Sequence, residues 1–306
     1  MSIPRNHHYL PQFYLDRWAT GGRLVRYTRP RGPAGPLECS NKAPKGIAYE
    51  RDLYRLPYID DPAASQRIEL RLFQEIDDRA AIALQRVDEG ITLGRDDRIA
   101  LGRFMVSLLH RSPSRLAAIR TELAAQPDAP VGGLEGAALE QALKSLANHL
   151  LEMLVGTDLA ATPLIDLIPH PIKLPAGSKT LLTSDRPVSA SAQLISPDAF
   201  LVLPFGPDRL IVFTKIASIA RSFASQPPNV LVRGMNGAVV EQAEDLVVAA
   251  DRDAARMVDR LFLRPQPDTT RDAIGLIRRK APLIDLFPRP RVFSRHDKAG
   301  LKYLGR

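Results

Sequence analysis

The chain has 306 residues, of which 45% are hydrophobic and 25% charged, and a formal net charge of +8. That is an ordinary globular composition, long enough to bury a sizeable core as one large domain or two small ones. Its longest tempting apolar run, DLVVAA (Asp245 to Ala250), falls far short of a membrane span. The single cysteine, Cys39, excludes a disulfide framework or thiolate cluster.

In chain order, RNHHYLPQFYLDRWATGG opens with adjacent histidines, His7 and His8, just ahead of a proline. Pro11 suits a first helical turn, where a missing N–H costs nothing, and Gly21-Gly22 stop a short helix carrying Tyr14 and Trp18 on one face. RLVRYTR alternates like a strand, and a return strand near Leu37 to Ser40 completes a hairpin. GIAYERDLYRL adds a short extended or turn segment. From Pro62 to Glu89 the period is helical, with Ile68, Leu72, Ile76, Ala80, Ala83 and Val87 three or four residues apart. Asp96 or Asp97 caps a second helix to about Leu109, Pro113 kinks or ends it, and further helices follow over Ser114 to Ala125 and Leu134 to Val155.

The second half changes character. KTLLTSD, FLVLPF and RLIVFT are short apolar runs split by Pro, Gly and Asp, and read as strands of an antiparallel sheet. Asn236 is placed to cap a long helix from about Gly237 to Phe262. After Pro265 the chain is Pro- and Arg-rich. The expectation is an α+β fold, a mainly helical body with an N-terminal hairpin and a small antiparallel sheet in the second half.

Charge is unevenly placed. Residues 1–58 hold ten Lys/Arg against four Asp/Glu and residues 264–306 eleven against four, which leaves the middle at −5. A basic head and tail around an acidic body suits an anion-binding face, nucleic acid above all. An arginine-rich solvated surface produces the same pattern. No basic-then-apolar leader opens the chain, so a cytoplasmic, membrane-free protein is expected.

Several stretches together resemble a widespread family, domain of unknown function 4238. HHYLPQFYL (His7 to Leu15) matches its His-His-Tyr-x-Pro-x-Phe-Tyr-Leu signature. AYERDLY, LLHRSPSR, LLTSDRPV, LVLPFGPDRLIV and MNGAVVEQAED follow in the family's order. Phe205-Gly206 stands where Leu-Ser is usual, and Arg186 where Asn is common. The likeness spans about residues 5–253. It implies a single domain over 1–264, made of a signature helix and hairpin (1–58), a helical part (59–160) and a sheet with a long helix (161–264). A basic tail over 265–306 lies outside it. The family carries no activity to transfer.

The chemistry is therefore read from residues. His7 and His8 near a helix N-terminus, as neutral imidazoles, suit a general base or metal ligand. Asp185, before a turn, suits a second ligand or an orienting carboxylate. His8, Asp185 and Asp52 form a candidate set for Mg²⁺ or Mn²⁺. Arg5, Arg111 and Arg115 are candidates to hold phosphate. Each has a structural alternative: a packed histidine, an aspartate bonded to its own turn, or Arg111 paired with Glu69 or Glu75. Phosphate-loop, dinucleotide, zincin and nucleophile-elbow motifs are absent. Two readings follow. One is a metal-assisted hydrolase acting on nucleic acid, with His7, His8 and Asp185 catalytic. The other is a non-catalytic module that binds nucleic acid or protein through its basic ends.

Overall fold

A computed structural model describes residues 5–126, 131–156, 166–191 and 198–263. The expected basic, Pro- and Arg-rich tail over 265–306 lies outside the described residues. The fold is α+β and mainly helical, with small antiparallel sheets.

Strand β1 (Asn6–His8) pairs with β4 (Tyr49–Arg51), His7 opposite Glu50. Helix α1 (Gln12–Leu15) follows Pro11 and tightens into a 3-10 turn, Asp16–Trp18. The histidine pair thus lies on a strand, not on the helix end. Gly21 and Gly22 both have positive φ, the left-handed conformation glycine adopts without penalty, and so turn the chain into the hairpin. That hairpin, β2 (Leu24–Thr28) with β3 (Glu38–Lys42), forms as expected.

The predicted helix from Pro62 to Glu89 is present in three pieces. These are α2 (Pro62–Ser65), a π-helical stretch over Ile68–Phe73, and α3 (Gln74–Asp88). Helix α4 (Arg95–His110) begins after Gly94, whose N–H donates to the Asp97 carboxylate at 3.0 Å, so Asp97 caps from inside the first turn. Helices α5 (Pro113–Ala124) and α6 (Gly136–Gly156) complete the helical part. Pro113 does not kink α4. It opens α5, and the Ser112 hydroxyl accepts the Arg115 N–H.

The remaining strands divide differently from the sequence expectation. Strands β8 (Phe200–Gly206) and β9 (Arg209–Thr214) form a sheet in the order β5-β9-β8-β7, with β5 at Ile168–Lys173 and β7 at Ser189–Ala190. KTLLTSD does not join it. Its β6 (Thr183–Ser184) closes a second sheet, β3-β2-β10-β6, with β10 at Val247–Ala249. The hairpin is therefore part of a four-stranded sheet.

The long helix expected from Gly237 to Phe262 does not form. Helix α8 (Pro228–Gln242) ends early, after α7 (Ala217–Ala224). The buried run Val247–Ala249 is strand β10, and α9 (Ala255–Leu261) is separate. Asn236 is no cap. It sits inside α8, where its carbonyl accepts the Leu182 N–H at 2.8 Å and its amide donates to the Thr180 carbonyl at 2.9 Å. It completes the backbone pairing that the chain before β6 lacks.

The segment from Tyr9 to Trp18 is the wedge between the helices and the sheets. The Tyr14 hydroxyl donates to the Pro204 carbonyl (2.7 Å) and lies 2.8 Å from the Thr183 hydroxyl, while the Trp18 indole N–H donates to the Leu181 carbonyl (2.8 Å). Tyr9 donates to Asp245, and Arg17 to the Phe205 carbonyl. Tyr14, Leu15 and Trp18 are fully buried in the largest apolar cluster, beside Phe104 and Leu201. Among the described residues no helix is long and apolar enough to cross a membrane.

Candidate active site

The pleat of β1 sends its two histidines to opposite sides. His7 is fully buried. Its Nδ1 accepts the Tyr54 N–H at 3.0 Å, and its ring stacks on Tyr54 with centroids 5.5 Å apart. His8 turns the other way, half-buried, to the rim of a cleft. Burial lowers the His8 imidazole below its ordinary value. The charge of Arg111 adds to this, and the Lys45 backbone opposes it. His8 is therefore a neutral imidazole at neutral pH.

The cleft measures about 270 Å³. His8, Phe13, Glu69, Leu70, Phe73 and Asp77 supply most of its wall. Glu69 comes from the π-helical stretch, a geometry found mostly as short insertions in helices and frequently at functional sites. Around β1 the ladder bonds fall on odd residues: Asp52 N–H to the Arg5 carbonyl (2.7 Å) and Tyr9 N–H to the Ala48 carbonyl (2.9 Å). Alternation leaves the His8 N–H facing away from β4, and it supports the Glu69 carboxylate. Burial outweighs that bond and raises the Glu69 carboxyl to about 7, with Asp77 adding to the rise and Arg111 opposing it.

Arg111 stands behind the cleft with 0% of its side chain exposed. Its Nη1 donates to both Asp77 oxygens (3.0 and 3.3 Å), its Nε donates to the Tyr9 carbonyl (2.8 Å), and its guanidinium lies over the Phe73 ring. The sequence expected an acidic partner for Arg111 but named Glu69 or Glu75. The ion pair is with Asp77, one turn further along from Phe73. Burial raises the Asp77 carboxyl, against the pull of Arg111.

The other expected residues are placed elsewhere. Asp185 is buried, and its carboxylate accepts the backbone N–H groups of Glu244, Asp245 and Leu246 at 3.1–3.2 Å, fixing the turn into β10. Burial, with Asp245 adding, raises its carboxyl to about 7. Asp52 pairs with Arg5 and accepts from Gln66, and the Arg5 hydrogen bond pulls its carboxyl down to about 2. Arg5 is thus engaged by Asp52, and Arg17 and Arg29 of the basic head by Asp88 and Asp259. Arg115 is buried at the start of α5. Burial pushes the neighbouring His110 down to about 3, helped by the charges of Arg115 and Arg186. His8, Asp185 and Asp52 do not assemble as a cation site, and among the described residues no group of three or more His, Cys, Asp or Glu side chains does.

A family model described as Protein of unknown function (DUF4238) matches residues 6–253. The chain belongs to that family. No curated protein and no solved structure matches it. Membership in DUF4238 brings no activity with it, so the cleft has to be argued from its own groups. Glu69 and Asp77 are the site residues that sequence reasoning missed. Glu69, Phe73 and Asp77 recur every four residues beside the apolar row of Ile68, Ile76 and Ala80, and that second inward row was the available signal.

The raised carboxyl of Asp185 has a consequence for stability. Its ordinary value is 3.8, so between about pH 4 and 7 the folded protein holds a proton that the unfolded chain has lost. Stability from this group is highest below that window and falls as pH rises through it. His110 contributes with the opposite sign up to its ordinary 6.5, so the informative comparison is with an Asp185→Asn variant. Its unfolding free energy in urea should gain about 1–3 kcal/mol on the wild type between pH 5 and 7, then run parallel. Parallel curves across the whole range would mean that Asp185 is ionised when folded.

Proposed function

We propose that this DUF4238 protein is a hydrolase whose acid–base centre is the Glu69–His8 cleft. The observation that carries the reading is the convergence of Glu69 and His8 on one open cleft at the end of β1. A buried carboxyl tuned close to neutrality is what a general base needs, because it is then both substantially ionised and basic. Glu69 takes a proton from water as the water oxygen bonds to the substrate's electrophilic atom, and returns it as the bond to the leaving group breaks. His8, neutral, offers a second hydrogen-bonding group that adds no charge.

The walls also bear on substrate. Asp77, Asp78 and Glu69 are acidic, and Asp77 already neutralises Arg111. A phosphodiester would meet net negative charge here, so we place the substrate among uncharged compounds and not, as charge along the sequence suggested, among nucleic acids.

The test is turnover on a panel of ester, anilide, glycoside and phosphodiester substrates, with labelled RNA and DNA in the same panel, each with and without Mg²⁺ or Mn²⁺. Glu69→Gln should lower kcat about 10²–10⁴-fold on the substrate that is cleaved. The wild-type kcat/KM should climb through about pH 7 as Glu69 loses its proton. Undiminished turnover in Glu69→Gln, or no hydrolysis of any class, would overturn the reading.

A further inference from the structure

Strand β3 is the outer strand of the sheet β3-β2-β10-β6, and its other flank has no partner among the described residues. It runs regularly over Glu38-Cys39-Ser40-Asn41-Lys42, with no bulge against β2. Glu38, Cys39 and Asn41 are exposed, and Ser40 and Lys42 partly so. An uncovered edge of this kind presents a row of N–H and C=O groups that can template another strand.

Which groups face outward follows from the ladder. The Asp185 N–H donates to the Leu246 carbonyl at 3.2 Å. Bonding alternates along antiparallel strands, so on β10 Val248 bonds to β6, while Val247 and Ala249 bond to Tyr27 and Val25 of β2. That leaves Leu24, Arg26 and Thr28 to bond to Lys42, Ser40 and Glu38 of β3. The N–H and C=O groups of Cys39 and Asn41 therefore point away from the sheet. The Asn41 carbonyl accepts a long bond from the Arg23 guanidinium (3.3 Å) and keeps a second lone pair.

The residues of the strand restrict what fits there. Glu38 and Lys42 stand on the same face, roughly 13–14 Å apart along the strand, too far to pair within one chain. Among the described residues neither forms an ion pair. In an antiparallel copy centred on Ser40, Glu38 falls opposite Lys42 of the copy, and Lys42 opposite its Glu38. The same register sets Cys39 against Asn41, the residues whose backbone groups point outward. Leu37 and Ala43, and Pro36 and Pro44, also exchange places about Ser40. Sliding the copy by two residues keeps backbone bonds but sets Ser40 against Glu38 or Lys42 and leaves the charges unmatched. Opposite charges facing each other across a ladder stabilise it, and like charges destabilise it.

We infer that β3 is a homodimerisation edge: two copies of this chain pair their β3 strands antiparallel about a two-fold axis through Ser40, with Glu38 of each copy facing Lys42 of the other. The two four-stranded sheets then run on as one. No residue of the Glu69–His8 cleft belongs to β3, so this contact stands or falls apart from the hydrolase reading.

Sedimentation equilibrium of the full chain, under reducing conditions and over about 1–200 µM, should show a reversible monomer–dimer equilibrium. Glu38→Lys and Lys42→Glu should each raise the dimer Kd about ten-fold or more, because each sets like charges against one another on both sides of the axis. An equimolar mixture of the two variants should recover wild-type association, since each then meets the opposite charge at both positions. That recovery also shows that both variants are folded. Ser40 sits on the axis in a non-hydrogen-bonded pair, where Cα atoms lie about 4.5 Å apart, within disulfide reach. A Cys39→Ser/Ser40→Cys variant should therefore form a covalent dimer on oxidation, whereas the wild type, whose Cys39 faces Asn41, should not. A chain that stays monomeric across the range would overturn the inference. So would a dimer that neither charge variant weakens, a mixture that does not recover, or crosslinking of the wild type in place of the Ser40→Cys variant.

Discussion

Replacing Arg111 with methionine should destabilise the protein by about 3–5 kcal/mol, because it leaves one partner of a buried ion pair behind. Asp77 would be stranded in a place where burial already raises its carboxyl. The Tyr9 carbonyl would lose its donor, and the rings of Phe73 and Phe104 the cation that lies over them. Methionine roughly matches arginine's length but supplies none of these. The measurement is the urea midpoint followed by far-ultraviolet circular dichroism. An Asp77→Leu/Arg111→Met double variant should recover more than half of the loss, since removing both charges removes the desolvation cost along with the attraction. A loss below about 1 kcal/mol in the single variant would mean that Asp77 is neutral when folded and needs no partner.

Trp18→Ala should cost about as much, roughly 3–5 kcal/mol, for a different reason. Trp18 is the only tryptophan and is entirely buried. Its ring packs on Tyr14 with centroids 5.1 Å apart, and its N–H is the bond to the Leu181 carbonyl. Alanine opens a cavity between the helices and the sheets and leaves that carbonyl unpaired. Trp18→Phe fills much of the space but still loses the N–H, so it should sit between wild type and alanine. Circular dichroism is again the readout, because both changes remove the indole fluorescence. Equal stability of the phenylalanine and alanine variants would assign the whole effect to the hydrogen bond.

Much of the fold was legible where a periodic pattern was long. Helices α3 to α6 and the β2–β3 hairpin follow from apolar spacing and turn glycines. Strand β5 was not legible, because its sequence IPHPIK holds two prolines, which a ladder tolerates only where their missing N–H is not needed. It lies at a sheet edge. The misplaced helix after Asn236 has a similar cause. Apolar residues recur at helical spacing from Val240 to Leu261, yet Val247–Ala249 is a fully buried strand, and periodicity alone cannot separate the two over so short a run. The histidines were legible as a pair, but both were expected to be catalytic near a helix end, and on strand β1 neighbours face opposite ways, so His7 is buried and only His8 reaches the cleft. Glu69 and Asp77 were not, because each reads as the polar neighbour of a core residue on an ordinary amphipathic helix. Only tertiary packing, which sets β1 and Arg111 against that face, turns them into a site.

The wedge from Tyr9 to Trp18 also governs when the protein can finish folding. Tyr9 bonds to Asp245, 236 residues later; Tyr14 reaches Thr183, 169 later; Trp18 reaches Leu181, 163 later. On a ribosome the wedge is made well before any of these partners. At about 5–20 residues per second, roughly 10–50 s pass between synthesis of Tyr9 and of Asp245. Throughout that interval an aromatic, apolar segment waits without its final cover. The early helices can shelter part of it, but the nascent chain stays open to chaperones, and to other nascent chains, until the sheets arrive.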